Sequence, residues 1–460
     1  DLVEVLTEVE ALDLKTNECG TYRYDKLVIA TGADLIVPPV DGIDLKGVYF
    51  MRTPEDAITL RQAIEAGEIK RALVVGGGFI GLEVAENLAG QGVRVSVIDM
   101  AEQILPGFGP EIASFVENHL AEQGIMTFTD TKLEAILGDG KVEKVKTSKR
   151  PMKVDAVIFS TGVRPNTGFL SDTGIKLGKN GAIIVNEHME TNIEDIYALG
   201  DCAVVSNTMT GKEAYSPMGS SANIQGRILA QNLNGDSKSY KGVLGTAVAK
   251  LPGLNIGKTG LTEDAAKAEG HDVVTVVIVV DDKAHYYPGA SNFIVKMIAD
   301  KSNKKLLGLQ VLGEGAVDKM IDIAAVAMAL NATLDDIKDL DLAYAPPFST
   351  AIHPFSHTVN ILLNKINGDI QSITPREYLE GKAEGYKIID ASISPNIPGV
   401  PFVDLSKVHG ELSEFDKDEK LLLVCTKGKR AYMLQKRLKS FGYTNTLVLE
   451  GGTSFNEVSL

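Results

Sequence analysis

Two stretches of this sequence place ligand-gripping or reactive residue types at spacings that chemistry would require. In the first, Gly76-Gly77-Gly78-Phe79-Ile80-Gly81 fits G-x-G-x-x-G, and Asp99 follows 23 residues after Gly76. Gly76 permits a tight turn, Gly78 lets backbone approach a pyrophosphate, and Gly81 lets a helix pack closely on a strand. A helix opening there turns free N–H groups and the positive end of its dipole toward the anion. A carboxylate at 99 accepts from a ribose 2′-hydroxyl and repels a 2′-phosphate. The pattern therefore predicts NADH over NADPH, and Met100-Ala101-Glu102-Gln103 supplies no Arg to reverse that preference. In the second stretch, Cys425-Thr426-Lys427-Gly428-Lys429-Arg430 follows the apolar run Leu421-Leu422-Leu423-Val424 and precedes a helical stretch. Backbone N–H groups, nearby cations and a helix N-terminus favour a thiolate, the nucleophilic form, so Cys425 is a nucleophile by placement.

The elements that must position these groups are legible in the hydrophobic pattern. Ala72 to Val75 reads as a strand, the residues to about Gln91 as a helix and Arg94 to Ile98 as a second strand. Strand, turn, helix, strand is the unit of a parallel α/β sheet. Upstream, Leu2-Val3-Glu4-Val5 and Lys26-Leu27-Val28-Ile29 alternate with polar turns in a strand meander that ends at Ala30-Thr31-Gly32. Thr53 and Pro54 suit the cap and first position of a helix running to Ile69. Further helices are expected over 110–123 and 218–234. The region 243–367 places strands at 272–280, 292–299 and 305–312 before helices at 315–331 and 350–367, an α+β order. Residues 368–460 read as a small α/β unit with strands at 386–390, 420–424 and 446–449.

The 460 residues carry 46 Lys plus Arg against 61 Asp plus Glu, a net charge of −15, which argues against nucleic-acid or anionic-membrane partners. No apolar stretch reaches the roughly 18 residues that span a bilayer; Val273 to Val280 is broken by Asp281 and Asp282. Cys19, Cys202 and Cys425 form no disulfide framework and no paired metal-ligand spacing, which fits a reducing, cytoplasmic compartment. Glycine, at 45 residues, exceeds the roughly 7% average, in keeping with several ligand-binding turns.

Residues 1 to about 367 resemble the flavin- and pyridine-nucleotide-dependent disulfide oxidoreductases, more narrowly their coenzyme A disulfide, polysulfide and persulfide reductase branch. The resemblance rests on Ala30-Thr31-Gly32, GGGFIGLEVAENL at 76–88, Thr161-Gly162-Val163-Arg164-Pro165-Asn166, IYALGDC at 196–202 and LAYAPPFS at 342–349. It implies FAD and NADH as cofactors and a homodimer acting on a small coenzyme A-type disulfide or persulfide. By the same resemblance, Gly200-Asp201 places a carboxylate on the flavin ribityl chain, and the turns at Gly32 and Gly162 pack by the flavin. Glu83 sits near the nicotinamide, the helix start containing Ala222 faces the pyrimidine edge, and Tyr344 approaches the partner subunit's thiol site. Cys202 is read as a small packed thiol.

The implied organisation is a two-dinucleotide-binding-domain α/β flavoprotein fold. Residues 1–52 are a remnant of the FAD domain, 53–165 the NADH domain, 166–242 the return to the FAD domain, and 243–367 the α+β dimerisation domain. Residues 368–460 form a rhodanese-like α/β domain. Resembling proteins begin with another glycine-rich strand-turn-helix and a redox-active Cys, and neither precedes residue 32. An N-terminal segment is therefore expected upstream of Asp1, the first domain being truncated.

The loop from Cys425 to Arg430 resembles the rhodanese active loop C-x-x-G-x-R, and Glu450-Gly451-Gly452 its later turn. Asp390-Ala391-Ser392 departs from the usual Asp-x-Arg, which puts independent sulfurtransferase turnover in doubt. The resemblance thus implies NADH-driven reduction of a sulfur substrate with Cys425 and Arg430 in a sulfur-carrying loop. An NADH oxidase or peroxidase is the alternative within the family, and a sulfur carrier or redox sensor the alternative outside it.

Overall fold

The computed structural model describes residues 8–458, so the run Leu2-Val3-Glu4-Val5 lies outside the described residues. The chain forms two units, one of Asp1–Ile69, Leu133–Lys146 and Pro151–Gly245, the other of Lys70–Lys132, Thr147–Arg150 and Thr246–Leu460.

In the first unit, Glu8–Leu12 and Cys19–Arg23 form an exposed antiparallel hairpin. Its turn is closed by Asp13, whose Oδ1 accepts from the N–H groups of Lys15 and Thr16. Cys19 opens the second strand. Strand Leu27–Ile29 runs parallel to Ile196–Ala198, and Ala33–Leu35 antiparallel to Val163–Pro165. These two short pairings bring the Ala30-Thr31-Gly32, Thr161-Gly162 and Gly200-Asp201 turns to adjacent strand ends. Thr53 caps Pro54–Glu65 through a capping box with Asp56, and that helix stops at Glu65, short of Ile69.

In the second unit, Arg71–Val75, Arg94–Ile98 and Met126–Phe128 lie side by side in parallel, connected by the helices Phe79–Gly90 and Pro110–Glu122. The strand residues Leu73, Val74, Val97 and Ile98 are fully buried, as strands covered on both faces require. A five-stranded antiparallel sheet follows, ordered Ala247–Leu251, Leu254–Gly260, Leu306–Gly313, Asn292–Asp300, Val273–Asp281. The hairpin 247–260 was not among the expected strands because Gly253, Gly257 and Gly260 interrupt its alternation. Gly253 serves the turn with φ +60°, while Gly257 answers to close approach: a Cβ there would stand 2.7 Å from Ile321 of the covering helix Val317–Ala329. The last sheet is parallel, ordered Ser372–Ile373, Thr446–Leu449, Leu421–Val424, Lys387–Asp390. Helix Lys429–Ser440 covers it with Ala431, Leu434 and Leu438, packed on Ile389, Leu421, Leu423 and Val448.

One buried ion cluster joins the nucleotide-type layer to the antiparallel sheet. The Lys296 ammonium on strand Asn292–Asp300 meets Glu111 of helix Pro110–Glu122 and, at 2.8 Å, Glu263 of helix Glu263–Ala268. Such a charge is tolerated in the interior because it is paired and hydrogen-bonded.

Candidate functional site

The turn after Arg71–Val75 is built as a ligand cradle. Gly76 has φ +113°, which an L side chain resists, and its N–H donates to Ile98 O. A Cβ added at Gly78 would meet no atom within 4 Å, and no side chain caps the helix Phe79–Gly90 that Gly78 begins. The helix end therefore keeps unsatisfied N–H groups facing open space. Gly81 is buried in the first turn, while Ile80 is exposed. Asp99 stands beside the turn: its Oδ2 accepts from Gly77 N–H at 2.7 Å and its Oδ1 from Ala101 N–H at 2.8 Å. Each oxygen keeps a lone pair for a hydroxyl. Glu83, one turn into the helix, accepts from Lys250 N–H at 3.3 Å.

In the first unit, three glycine turns with positive φ are cross-linked, at Gly32 (+70°), Gly162 (+94°) and Gly200 (+74°). Thr31 Oγ1 donates to Asn166 O and Asn166 N–H to Gly32 O, while Thr161 Oγ1 donates to Ile36 O. Gly200 N–H donates to the buried Gln225 of helix Gly219–Leu233, and a Cβ on Gly200 would meet Ala222 at 3.5 Å. Ala30 links the strand Leu27–Ile29 to these turns. The Asp201 carboxylate lies 3.6 Å from Arg52. Tyr215 donates to the Asp201 carbonyl, and burial, reinforced by the Asp201 charge, pushes its hydroxyl up to about 12. Arg52, Tyr215 and Gln225 escaped the sequence reading because only chain folding brings them to the turns. Cys202 is fully buried, its Sγ donating to Leu199 O and Ile29 O.

Cys425 ends strand Leu421–Val424 and is 3% exposed. Gly428 N–H, at 3.2 Å, and Ala431 N–H, at 3.4 Å, both donate to its Sγ. Two of the cations around the loop are engaged elsewhere. Lys427 bonds Asp281 and Asn292 across the antiparallel sheet, and Arg430 donates from Nε to Ala391 O and lies 3.7 Å from Asp404. Asp390, fully buried, accepts from the N–H groups of Ser392, Asn396 and Ile397, and so shapes the facing loop. The turn beneath the thiol is anchored by Glu450, whose carboxylate accepts from Val277 N–H, Lys365 and Ser372. Gly452 is obligatory there, since a Cβ would stand 2.0 Å from Cys425 O. Tyr344 lies away from any strand or helix and is 51% exposed, and Phe348, four residues on, is 73% exposed.

Residues 3–222 match the family model Pyridine nucleotide-disulphide oxidoreductase, and residues 247–354 match the dimerisation domain of that family. Over 363 residues the chain is 37% identical to the NAD(P)H sulfur oxidoreductase (CoA-dependent) of Pyrococcus abyssi, covering 79% of this chain and 81% of that relative. The chain belongs to the pyridine nucleotide-disulphide oxidoreductases. As a member, it is an oxidoreductase whose cofactors are FAD and NADH. It is also 37% identical over 377 residues to an NADH oxidase of Methanocaldococcus jannaschii, covering 79% and 84%. A solved NAD-dependent persulfide reductase from A. fulgidus superposes with a TM-score of 0.91 at 34% identity, covering 98% of this chain and 82% of that one. Among the described residues, no helix of this oxidoreductase is long and apolar enough to cross a membrane, and no cluster of three or more His, Cys, Asp or Glu could hold a metal ion.

Proposed function

We propose that this protein is an NADH-dependent flavoprotein reductase of a coenzyme A-type disulfide, polysulfide or persulfide, in which Cys425 carries sulfane sulfur. When bound, FAD supplies two-electron exchange between the hydride donor and thiol chemistry. The open turn at Gly76, Gly78 and Gly81 and the uncapped helix end suit a pyrophosphate, with Ile80 beside it and Asp99 on the ribose. Gly32, Gly162, Gly200, Asp201 and Ala222 suit the flavin, with Arg52 balancing the Asp201 charge.

The observation that carries the sulfur assignment is the pair of N–H groups from Gly428 and Ala431 on the Cys425 sulfur. Donors so placed stabilise negative charge on the attacking sulfur. The thiolate attacks the terminal sulfur of a persulfide, the donor's S–S bond breaks as the new one forms, and the donor departs as its thiolate. A rhodanese-like role for residues 368–460 fits the parallel sheet and this loop. Arg430 would then act by holding the Ala391 loop. A homodimer is supported by the dimerisation-domain match and by the exposed Tyr344 and Phe348.

The Methanocaldococcus relative favours a second reading, an NADH oxidase. Steady-state NADH consumption by the full-length holoprotein, with coenzyme A persulfide or polysulfide against oxygen and peroxide, separates the two. A higher kcat/KM for the sulfur acceptor is expected; a higher value for oxygen or peroxide rejects the sulfur reading.

A further inference from the structure

A cavity lies in the antiparallel-sheet region, outside the turns described above. It has a volume of about 140 Å³ and is lined by Asp282, Lys283, Gly315, Lys319, Ser349 and His353, with Phe293 and Phe348 among its apolar walls. Two helix N-termini meet there. Val317–Ala329 begins at Ala316 with no side-chain cap, and Pro354–Ile366 begins at His353. Each 13-residue helix brings the positive end of its dipole, although Val317 N–H is bonded to Gly315 O, Pro354 has no N–H and Phe355 N–H is bonded to His353 Nδ1.

A separate observation points to a missing partner. Ser349 is 1% exposed, lines the cavity, and its hydroxyl has no hydrogen-bond partner. A buried polar group left in this state is costly. Lys283, Lys319 and His353 bring donors as well. His353 Nδ1 accepts from Phe355 N–H, which leaves the ring proton on Nε2. Burial, followed by the Lys319 charge, pushes that imidazole down to about 4, so it is a neutral donor. Lys319 makes no salt bridge among the described residues. The one carboxylate, Asp282, is already committed, accepting from Ser291 N–H and lying 3.3 Å from Lys283. With about 30 Å³ per water, the space suits one oxyanion with a water or two.

We propose that this cavity binds a small oxyanion group of the thiosulfate, sulfite or phosphate type, free or as the phosphoryl end of a larger molecule. The inference stands independently of the sulfur-reductase reading, since it uses neither the nucleotide turn nor Cys425.

The test is calorimetric titration of the full-length protein in oxyanion-free buffer, with NADH at saturation to fill the nucleotide turn. Sodium thiosulfate, sodium phosphate and glycerol 3-phosphate are the probes. Lys319→Met is expected to weaken binding at least about tenfold and Ser349→Ala about fivefold. Circular dichroism melts without anion verify that both variants fold, and thiosulfate should raise the melting temperature of the parent but not of Lys319→Met. Binding of the inorganic anions alone upholds the site as one for a free ion, and binding of glycerol 3-phosphate upholds it with a phosphoryl source. No saturable binding to the parent, or equal affinity in parent and Lys319→Met, overturns it.

Discussion

Gly428 donates its backbone N–H to the sulfur of Cys425 at 3.2 Å, from a left-handed conformation with φ +91°. Space does not forbid a side chain there, since a Cβ would come no closer than 3.8 Å to Leu449 O. The conformation does, at roughly 1–2 kcal/mol for an L residue. Gly428→Ala should therefore turn the N–H away from sulfur and slow alkylation of Cys425 by iodoacetamide at pH 7 about five- to tenfold. Mass spectrometry of the Cys425 peptide reads this directly, and an unchanged rate would show that the N–H does not activate the thiol.

Cys425→Ser should remove the cyanide-labile sulfur that the parent acquires from polysulfide. Lys427→Ala should retain most of it, because Lys427 is occupied by Asp281 and Asn292 rather than by the thiol. Equal cyanolysis in the parent and Cys425→Ser would end the carrier role. Loss on Lys427→Ala with unchanged alkylation would place that lysine on the sulfur donor instead.

The nucleotide preference turns on Asp99. Because its oxygens also hold Gly77 and Ala101, Asp99→Ser should loosen the turn as well as surrender the ribose. Asp99→Asn keeps an acceptor and removes the charge that repels a 2′-phosphate. It should narrow the gap between NADH and NADPH dissociation constants about tenfold, equivalent to ~1.4 kcal/mol. Fluorescence titration of both nucleotides measures the ratio, and an unmoved ratio would take Asp99 off the ribose.

What the sequence disclosed and what it hid differ by range. The helix Phe79–Gly90 and strands Arg94–Ile98 and Thr446–Leu449 stand where local pattern put them, because apolar period and glycine spacing act on neighbours. The loop from Cys425 to Arg430 was legible for the same reason. Hidden were the partners: Lys427 pairs with Asp281, 146 residues away, and Glu450 with Val277, 173 residues away. A basic loop reads as cations around a thiol, yet sheet packing draws Lys427 outward and Arg430 onto Ala391. The hairpin 247–260 was hidden because Gly257 and Gly260 answer to a covering helix that only the tertiary fold brings near.

The buried cluster at Lys296 predicts a large loss on single replacement. Lys296→Met would leave Glu111 and Glu263 without their common cation, and removing one member of a buried ion pair costs about 3–5 kcal/mol. Urea unfolding should show this as a lower midpoint with an unchanged slope. A loss under about 1 kcal/mol would mean that the carboxylates find water or protons instead.

The same cluster sets an acid limit. Burial alone would raise Glu263, but Lys296 and Lys267 outweigh it and hold the carboxyl at about 2, against an ordinary value of 4.5. Between those values the unfolded chain binds a proton that the folded protein refuses, so folding stability falls as pH falls. This contribution is fully present above about pH 4.5 and is lost progressively on the way down toward 2. Glu263→Gln keeps an oxygen acceptor for Lys296 but has no proton to gain. It should be less stable than the parent at pH 7, and the difference should shrink as pH falls through that window. Urea midpoints for both proteins from pH 7 to 3 decide it: parallel curves would place the acid sensitivity in other carboxylates.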